Sequence, residues 1–444
     1  MERVIGIIAD DLTGANDSGV QLTEKGIQTS VLFDIPSTED HLSEGIVIDT
    51  DSRSLNRQDA YDVTKKAATF LKKAGYSHIY KKIDSTLRGH LGAELEAIRE
   101  VCEPEFLVVA PAFPPYGRTT KNGIHYLKGT KISDTEISRD PKHPVKESSI
   151  PKLLFEQTGK EIGLIQTANL RDDARKWEKT LSGFKKKGIH YLVCDAETIQ
   201  DLSTIVHQIR AFTDQVVWSG SAGLAEVLPE IIHSNDKKST PTNRFSCQQV
   251  LTVCGSLSEM TQQQVAFLAN QDEVVPVEVD TVKIFENNWD HYQRQYIKQS
   301  YMALNNGKDV VLYVPSTEEQ REQVMEKGKS LNLTAYQIGK QISIALSMIS
   351  KSIVEGNRKV DGLILTGGDT GKDVTRVLSA VGFHLIKEIE PGIPLGRLLG
   401  TYDDMYVVTK AGAFGEEDSL YTAMLELKGV RANEQETDYR YNHG

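Results

Sequence analysis

Gly362-Leu363-Ile364-Leu365-Thr366-Gly367-Gly368-Asp369-Thr370-Gly371 passes from an apolar run into a glycine turn, and a helical pattern begins near Lys372. A buried strand that opens into a glycine turn at a helix start leaves backbone N–H groups free beside a positive dipole end, which suits an anion. α/β proteins bind phosphate in this way, so the stretch points to a fold class and a ligand class together. The string is neither a Walker motif nor G-x-G-x-x-G, and glycine turns after strands are common. Its weight comes from an aspartate-rich turn near the other end of the chain, Ala9-Asp10-Asp11-Leu12-Thr13-Gly14.

A chain of 444 residues exceeds one ordinary core, so two domains are expected. Hydrophobic residues at 39% with 25% charged describe a globular protein, not a disordered or fibrous one. A formal net charge of −11 argues against non-specific nucleic-acid binding, while local cations remain free to attract a small anion. Cys102, Cys194, Cys247 and Cys254 are scattered without metal-ligand spacing, which fits a reducing compartment better than a disulfide framework. The N-terminal apolar stretch is too short for a signal peptide and reads as a first strand, and no window approaches a membrane span. A cytoplasmic protein with no nucleic-acid or membrane partner is the expectation.

Strands are expected at Val4–Ala9, Thr29–Phe33, Gly45–Asp49, His78–Ile83, Phe106–Ala110, Ile162–Ile165, Tyr191–Cys194 and Val216–Trp218. Between them Gln58–Ala74 sets Ala60, Val63, Ala67, Ala68, Phe70 and Leu71 broadly on one helical face. This βαβ rhythm implies a largely parallel sheet flanked by helices. Asn122-Gly123 is a tight-turn signal, so Arg118–Leu127 reads as a hairpin or projecting loop. The polar stretch Ser234–Asn243 is the best linker, and a second α/β series follows at Val250–Val253, Val274–Val279, Val310–Val314, Leu363–Leu365 and Tyr406–Val408. The expected division is therefore a domain over 1–233, a linker over 234–246, a second domain over 247–430 and a polar tail over 431–444. In doubly wound sheets, ligands sit at the carboxyl ends of strands, so the strand-end turns are where chemistry belongs.

Six such turns carry polar clusters. Asp10 and Asp11 end the first strand; adjacent carboxylates repel, which calls for a cation or hydroxyl, although capping of the next helix is the simpler use. Arg53, after Asp49-Thr50-Asp51, offers a fork matched to a carboxylate or merely a solvated loop cation. Tyr80-Lys81-Lys82-Ile83-Asp84-Ser85-Thr86-Leu87-Arg88-Gly89 is the densest cluster of the first half, with cations for an acid's carboxylate and Asp84 and Ser85 for its hydroxyls, against the plainer use of Asp84 or Ser85 as an N-cap beside surface lysines. Pro111–Thr120 is a proline-stiffened loop that holds Arg118 and Thr119, or only a rigid connector. Cys254-Gly255-Ser256-Leu257-Ser258 suits a phosphate or ribose, with capping by Ser256 or Ser258 as the rival. Thr409-Lys410-Ala411-Gly412-Ala413-Phe414-Gly415 has glycines that permit close backbone approach to a ligand, and Lys410 is placed to neutralise phosphate.

The strings IADDLTGANDSGVQL, KKIDSTLRGHLGAEL, PAFPPYGRTT, CGSLSEMTQQQV, LTGGDTG and VTKAGAFG, in this order, resemble the four-carbon acid sugar kinases from Ile8 to about Gly415. The resemblance implies an α/β fold of two domains, each a largely parallel sheet flanked by helices, with the active site in the interdomain cleft. It also implies ATP-dependent phosphorylation of the C4 hydroxyl of a four-carbon sugar acid. D-threonate leads, with D-erythronate and 3-oxo-tetronates as alternatives. The family's acid contacts carry over to Asp11, Arg53 and Lys82-Ile83-Asp84-Ser85. Its nucleotide contacts carry over to Ser256 or Ser258, to Thr366, Gly367, Gly368 and Asp369, and to Gly412. Ala413 departs from the second glycine frequent there. Relatives of this fold often self-associate, which makes a homodimer an expectation, although no sequence feature marks an interface.

Together these readings place the acid's carboxylate near Arg53 and Lys82, with Asp10, Ser85 and Arg88 around it. Asp11 or Asp84 orients the C4 hydroxyl and accepts its proton. The turn Thr366 to Thr370 with Lys410 holds ATP, and Mg2+ bridges its phosphates. Asp10 and Asp11 are candidates for indirect Mg2+ contact and Asp369 for a second, the direct ligands staying open. A dehydrogenase or isomerase of sugar acids is the first rival, disfavoured by the lack of G-x-G-x-x-G after any strand. A nucleotide-dependent sensor is the second, disfavoured by the carboxylates at the hydroxyl site.

Overall fold

A computed structural model describes residues 2–140, 143–232 and 245–430, which form two compact units dividing near residue 240. In the first unit, in chain order, are β1 (Ile5–Ala9), β2 (Thr29–Leu32), β3 (Gly45–Asp49), β4 (His78–Lys82), β5 (Phe106–Ala110), β6 (Arg118–Lys121), β7 (Ile124–Leu127), β8 (Thr130–Lys131), β9 (Ile162–Ile165), β10 (Tyr191–Cys194) and β11 (Val216–Gly220). Its sheet runs β2-β3-β1-β4-β11-β5-β10-β9 with every pair parallel, while β6, β7 and β8 form a small antiparallel sheet.

The second unit contributes β12 (Gln249–Cys254), β13 (Val274–Glu278), β14 (Asp309–Tyr313), β15 (Val360–Thr366), β16 (Ala380–Glu390), β17 (Ile393–Gly400) and β18 (Tyr406–Lys410). Within it the order is β13-β14-β12-β15-β18-β17-β16. The first four pairings are parallel, and β16–β17 and β17–β18 are antiparallel.

β1 and β5 are apolar along their whole length and buried at every residue, as strands of a parallel sheet covered on both faces are. The helix Arg57–Lys73 shows how the local sequence meets the sheet. Asn56 caps it by accepting from Gln58 and Asp59 N–H at 3.0 Å each, and Ala60, Thr64, Ala67, Ala68 and Leu71 form its buried face. Leu71 presses where a Cβ on Gly6 would lie, 2.7 Å from the nearest methyl, so Gly6 in β1 lets the helix seat closely. Truncating Leu71 to alanine costs on the order of 2–5 kcal/mol.

The expected strands are all present, and the expected hairpin is β6–β7. The pair β16–β17, joined by Pro391-Gly392, was not anticipated. Its register slips three times, between Ala380 and Gly382, Leu385 and Lys387, and Glu388 and Glu390, and each slip breaks the alternation by which a strand is read. Most of the expected linker, 234–244, and the tail 431–444 lie outside the described residues. Phe245, the next described residue, is buried in the second unit's core beside Cys247, its ring 5.2 Å from that of Tyr406. Among the described residues no helix is long and apolar enough to cross a membrane.

Candidate active site

Three adjacent strands in the first unit, β3, β1 and β4, end in register, with Ala9 opposite both Asp49 and Lys82. Parallel pairing therefore delivers Asp10-Asp11, Thr50–Arg53 and Lys82–Arg88 to one edge. Arg53 closes on Asp10, with Nε donating to Oδ2 at 2.8 Å and Nη2 to Oδ1 at 3.0 Å, while Nη1 donates to Asp11 Oδ2 at 2.7 Å. Arg88 does the same for Asp84, through Nε at 2.9 Å and Nη2 at 3.1 Å, and reaches Asp140 through Nη1 at 3.2 Å. Thr86 also donates its hydroxyl to Asp84. Gly89, at φ +101°, takes a conformation that side chains avoid, and a Cβ there would lie 3.2 Å from Asp10 Oδ2.

The three carboxylates are thereby made unequal. Burial would raise Asp10, but Arg53, Lys81 and Lys82 hold it below its ordinary value. Burial likewise opposes ionisation of Asp84, and Arg53 and Arg88 overcome it, leaving that carboxyl far below the ordinary range. Asp11 goes the other way. Burial pushes it up, Arg53 pulls it back, and the charges of Asp10 and Asp84 leave it above its ordinary value. Asp11 is also the most open of the three, its side chain 27% exposed against 2% for Asp10 and 10% for Asp84.

Beneath this edge lies an ion pair that the sequence did not disclose. Lys81 Nζ sits 3.3 Å from Glu94 Oε2, both wholly buried, and Glu94 accepts from the hydroxyl of Ser52, which is 2.9 Å from that of Thr50. The pair braces the turn that aims Arg53. Lys82 is buried and donates to Ile83 O at 2.9 Å. Ile83 has its side chain in the core and its N–H bound to Gly220 O, so neither its side chain nor its amide is available to a ligand. Ser85 accepts at its carbonyl from the His125 ring, 2.8 Å away, in the tautomer that protonates Nε2.

The Arg53 fork, expected at the substrate's carboxylate, has its Nε–Nη2 edge on Asp10, and Asp10, expected at substrate or Mg2+, accepts from Arg53 at both oxygens.

The second unit repeats the construction. Cys254 of β12, Thr366 of β15 and Lys410 of β18 lie in register, so three neighbouring strand ends again meet at one edge. Gly367, at φ +89°, turns the chain into the helix Gly368–Val377 without any side-chain cap, and the first backbone bond of the turn is Gly371 N–H to Gly367 O at 2.9 Å. The amides of Gly368, Asp369 and Thr370 precede that bond and are the helix's free donors. Nothing lies within 4 Å of a Cβ placed on Gly368, so the approach to them is open. Thr370 is buried against Gly255, where a Cβ would collide with its hydroxyl.

Ser258 Oγ donates to Gly412 O at 2.6 Å and Thr261 Oγ1 to the same oxygen at 2.8 Å, while a Cβ on Gly412 would stand 2.1 Å from Ser256 Oγ. Lys410 is buried and donates to the carbonyls of Ala411, Gly412 and Phe414, each at 3.0 Å. Burial lowers its pKa to about 8. An ammonium has three donors, and here all three go to carbonyls of the loop that Lys410 holds in shape, where the sequence placed it at phosphate.

The open amide turn fits the phosphates of a nucleotide. Among the described residues no group of three or more His, Cys, Asp or Glu is placed to hold a metal ion.

Comparison with known proteins bears on both edges. A family model described as a sugar-binding N-terminal domain matches residues 5–228, and one described as a nucleotide-binding C-terminal domain matches residues 251–420. A D-threonate kinase of Salmonella typhimurium is 30% identical over 426 residues, covering 95% of this chain and 98% of the relative. This chain belongs to the four-carbon acid sugar kinase family. A D-erythronate kinase of Heliobacterium modesticaldum is also 30% identical, over 445 residues and 98% of this chain and 99% of its own. A solved structure from Salmonella typhimurium LT2 superposes with a TM-score of 0.81 at 26% identity, over 95% of this chain and 99% of that one. The chain is thus a sugar-acid kinase, a transferase that uses ATP.

Proposed function

We propose that this kinase transfers the γ-phosphoryl group of ATP to the C4 hydroxyl of D-threonate, with D-erythronate the next acid in order. Those are the two acids named in the 30%-identical relatives. The observation that carries the mechanism is the splitting of three neighbouring carboxylates: Asp10 and Asp84 are each gripped by a two-point guanidinium fork, while Asp11, which caps the next helix by accepting from Gly14 N–H at 2.9 Å and meets Arg53 at one point only, is the most exposed and is held above its ordinary value. Asp11 is the base: it accepts a hydrogen bond from the C4 hydroxyl and takes its proton as the oxygen bonds to phosphorus. Arg53 and Asp10 keep Asp11 in place, and Lys82 steadies the negative charge at this edge. Asp84 and Ser85 order the acid's other hydroxyls, with Arg88 fixing Asp84.

In the second unit the amides of Gly368, Asp369 and Thr370 hold the ATP phosphates. Ser256, Ser258, Thr366 and Gly412 line the nucleotide's other side, on a loop that Lys410 holds in shape. Mg2+ supplies charge neutralisation on the phosphate oxygens when bound, and Asp369, in the first turn of the helix, is the carboxylate we assign to it. Transfer itself needs alignment and neutralisation more than covalent help from the protein.

A coupled ADP-release assay over D-threonate, L-threonate, D-erythronate, L-erythronate and the 3-oxo-tetronates tests the reading. D-threonate should give the highest kcat/KM. ADP release that no four-carbon acid stimulates would refute it.

A further inference from the structure

The first unit holds a third guanidinium near the same edge, that of Arg118, and among the described residues no carboxylate pairs with it. Arg118 opens β6, just past the loop that follows β5. The end of β5 is aligned with the site, since Ala110 pairs with Gly220 and Gly220 with Lys82. Phe113 and Arg118 exchange backbone hydrogen bonds at 2.8 and 3.2 Å, closing the intervening loop over Pro114-Pro115. His125, on β7, ties the same hairpin to the Asp84-Ser85 turn through Ser85 O, with Thr120 Oγ1 3.0 Å from its other ring nitrogen. The hairpin is therefore fastened to the site.

The Arg118 side chain is held in one plane. Nη1 donates to Tyr116 O at 3.1 Å, and the guanidinium carbon stands 5.7 Å from the Tyr116 ring centroid. Its Nε is buried without a hydrogen-bond partner, and among the described residues no carboxylate lies within ion-pair distance. Burial consequently lowers its pKa, and the charges of Asp84 and Asp17 act on it without pairing, whereas Arg53 and Arg88 are raised by theirs. A partly dehydrated, immobilised guanidinium with donors unspent is costly unless an anion completes it.

We propose that Arg118 receives the carboxylate of the substrate and so makes the enzyme select four-carbon acids over uncharged four-carbon polyols and amides. The inference rests on the assignment of the first unit as the sugar-acid site. It reassigns the contact once given to Arg53, whose fork is closed on Asp10, and it leaves Lys82 beside the reacting hydroxyl. Arginine suits the task because its planar donors match both carboxylate oxygens, which a lysine ammonium does not.

The test compares wild type, Arg118→Gln and Arg118→Lys in ADP release with D-threonate and with its uncharged amide. Arg118→Gln should raise KM for the acid on the order of 100-fold while kcat/KM for the amide and KM for ATP stay within about twofold. Arg118→Lys should fall between, and it stands in should the glutamine variant fail to fold. An acid KM within about twofold of wild type, or equal losses on acid and amide, would overturn the inference and leave the sugar-acid site intact. Wild-type enzyme indifferent to every four-carbon acid would remove the site assignment, and the inference with it.

Discussion

A carboxylate can act as a proton acceptor in a crowd of carboxylates only when its neighbours' charges are tied down. Arg53 and Arg88 do this for Asp10 and Asp84, which leaves Asp11 the basic member of the group. Asp11→Asn should therefore lower kcat about 10²–10⁴-fold with little change in acid KM, whereas Asp84→Asn should raise acid KM and lower the melting temperature. Because the Asp11 pKa is raised, kcat/KM should fall with decreasing pH above the ordinary carboxylate range. Lys82→Met should move that acid limb higher still, because Lys82 lowers the Asp11 pKa, and pH–rate profiles of both proteins would show it.

A second pH effect concerns stability. Burial holds His125 at a pKa of about 4 in the folded state. Below its unfolded value near 6.5 the unfolded chain takes up a proton that the folded chain refuses. Stability should thus be full above that value and decline toward pH 4, by up to roughly 3 kcal/mol. Denaturant titrations at a series of pH values should give a flatter profile for His125→Gln. Residue by residue, the sequence showed the clusters but not the pairings, because Arg53 and Asp10 stand 43 positions apart and Arg88 and Asp140 stand 52 apart. Only the sheet register brings them together.

At the scale of elements, what was legible followed from pattern. Continuous apolar runs ending in Asp, Ser, Lys or Gly marked the parallel strands and the turns after them. The slipped register of β16 and β17 hid that hairpin, although Pro391-Gly392 was a usable turn signal. The buried pair Lys81–Glu94 was hidden as well, since a charged residue beside a strand end reads as solvated until the sheet covers it. Glycine substitutions separate the two edges. Gly89→Ala places a side chain at φ +101° against Asp10, and it should destabilise the protein by about 1–2 kcal/mol and depress kcat, read by melting and by ADP release. Gly412→Ala displaces Ser256 and should raise KM for ATP at least several-fold while KM for the acid stays unchanged. A rise in acid KM alone would separate Gly412 from the nucleotide.

Across the whole molecule the same device appears twice: three neighbouring parallel strands deliver their carboxyl ends to one edge, an acidic one in the first unit and an amide-rich one in the second. Parallel pairing explains why two short turns so far apart in the chain, at Asp10-Asp11 and at Thr366–Thr370, carried most of the functional reading. The sequence did not carry the choice of acid, because the groups that face its hydroxyls are set by side-chain geometry. The most direct measurement is phosphorus NMR of the product formed from ATP and D-threonate, run beside a reaction without acid. The account predicts an acid-dependent phosphomonoester coupled to the two C4 protons, formed in step with ADP. Inorganic phosphate as the only product, or an ester at another carbon, would contradict it.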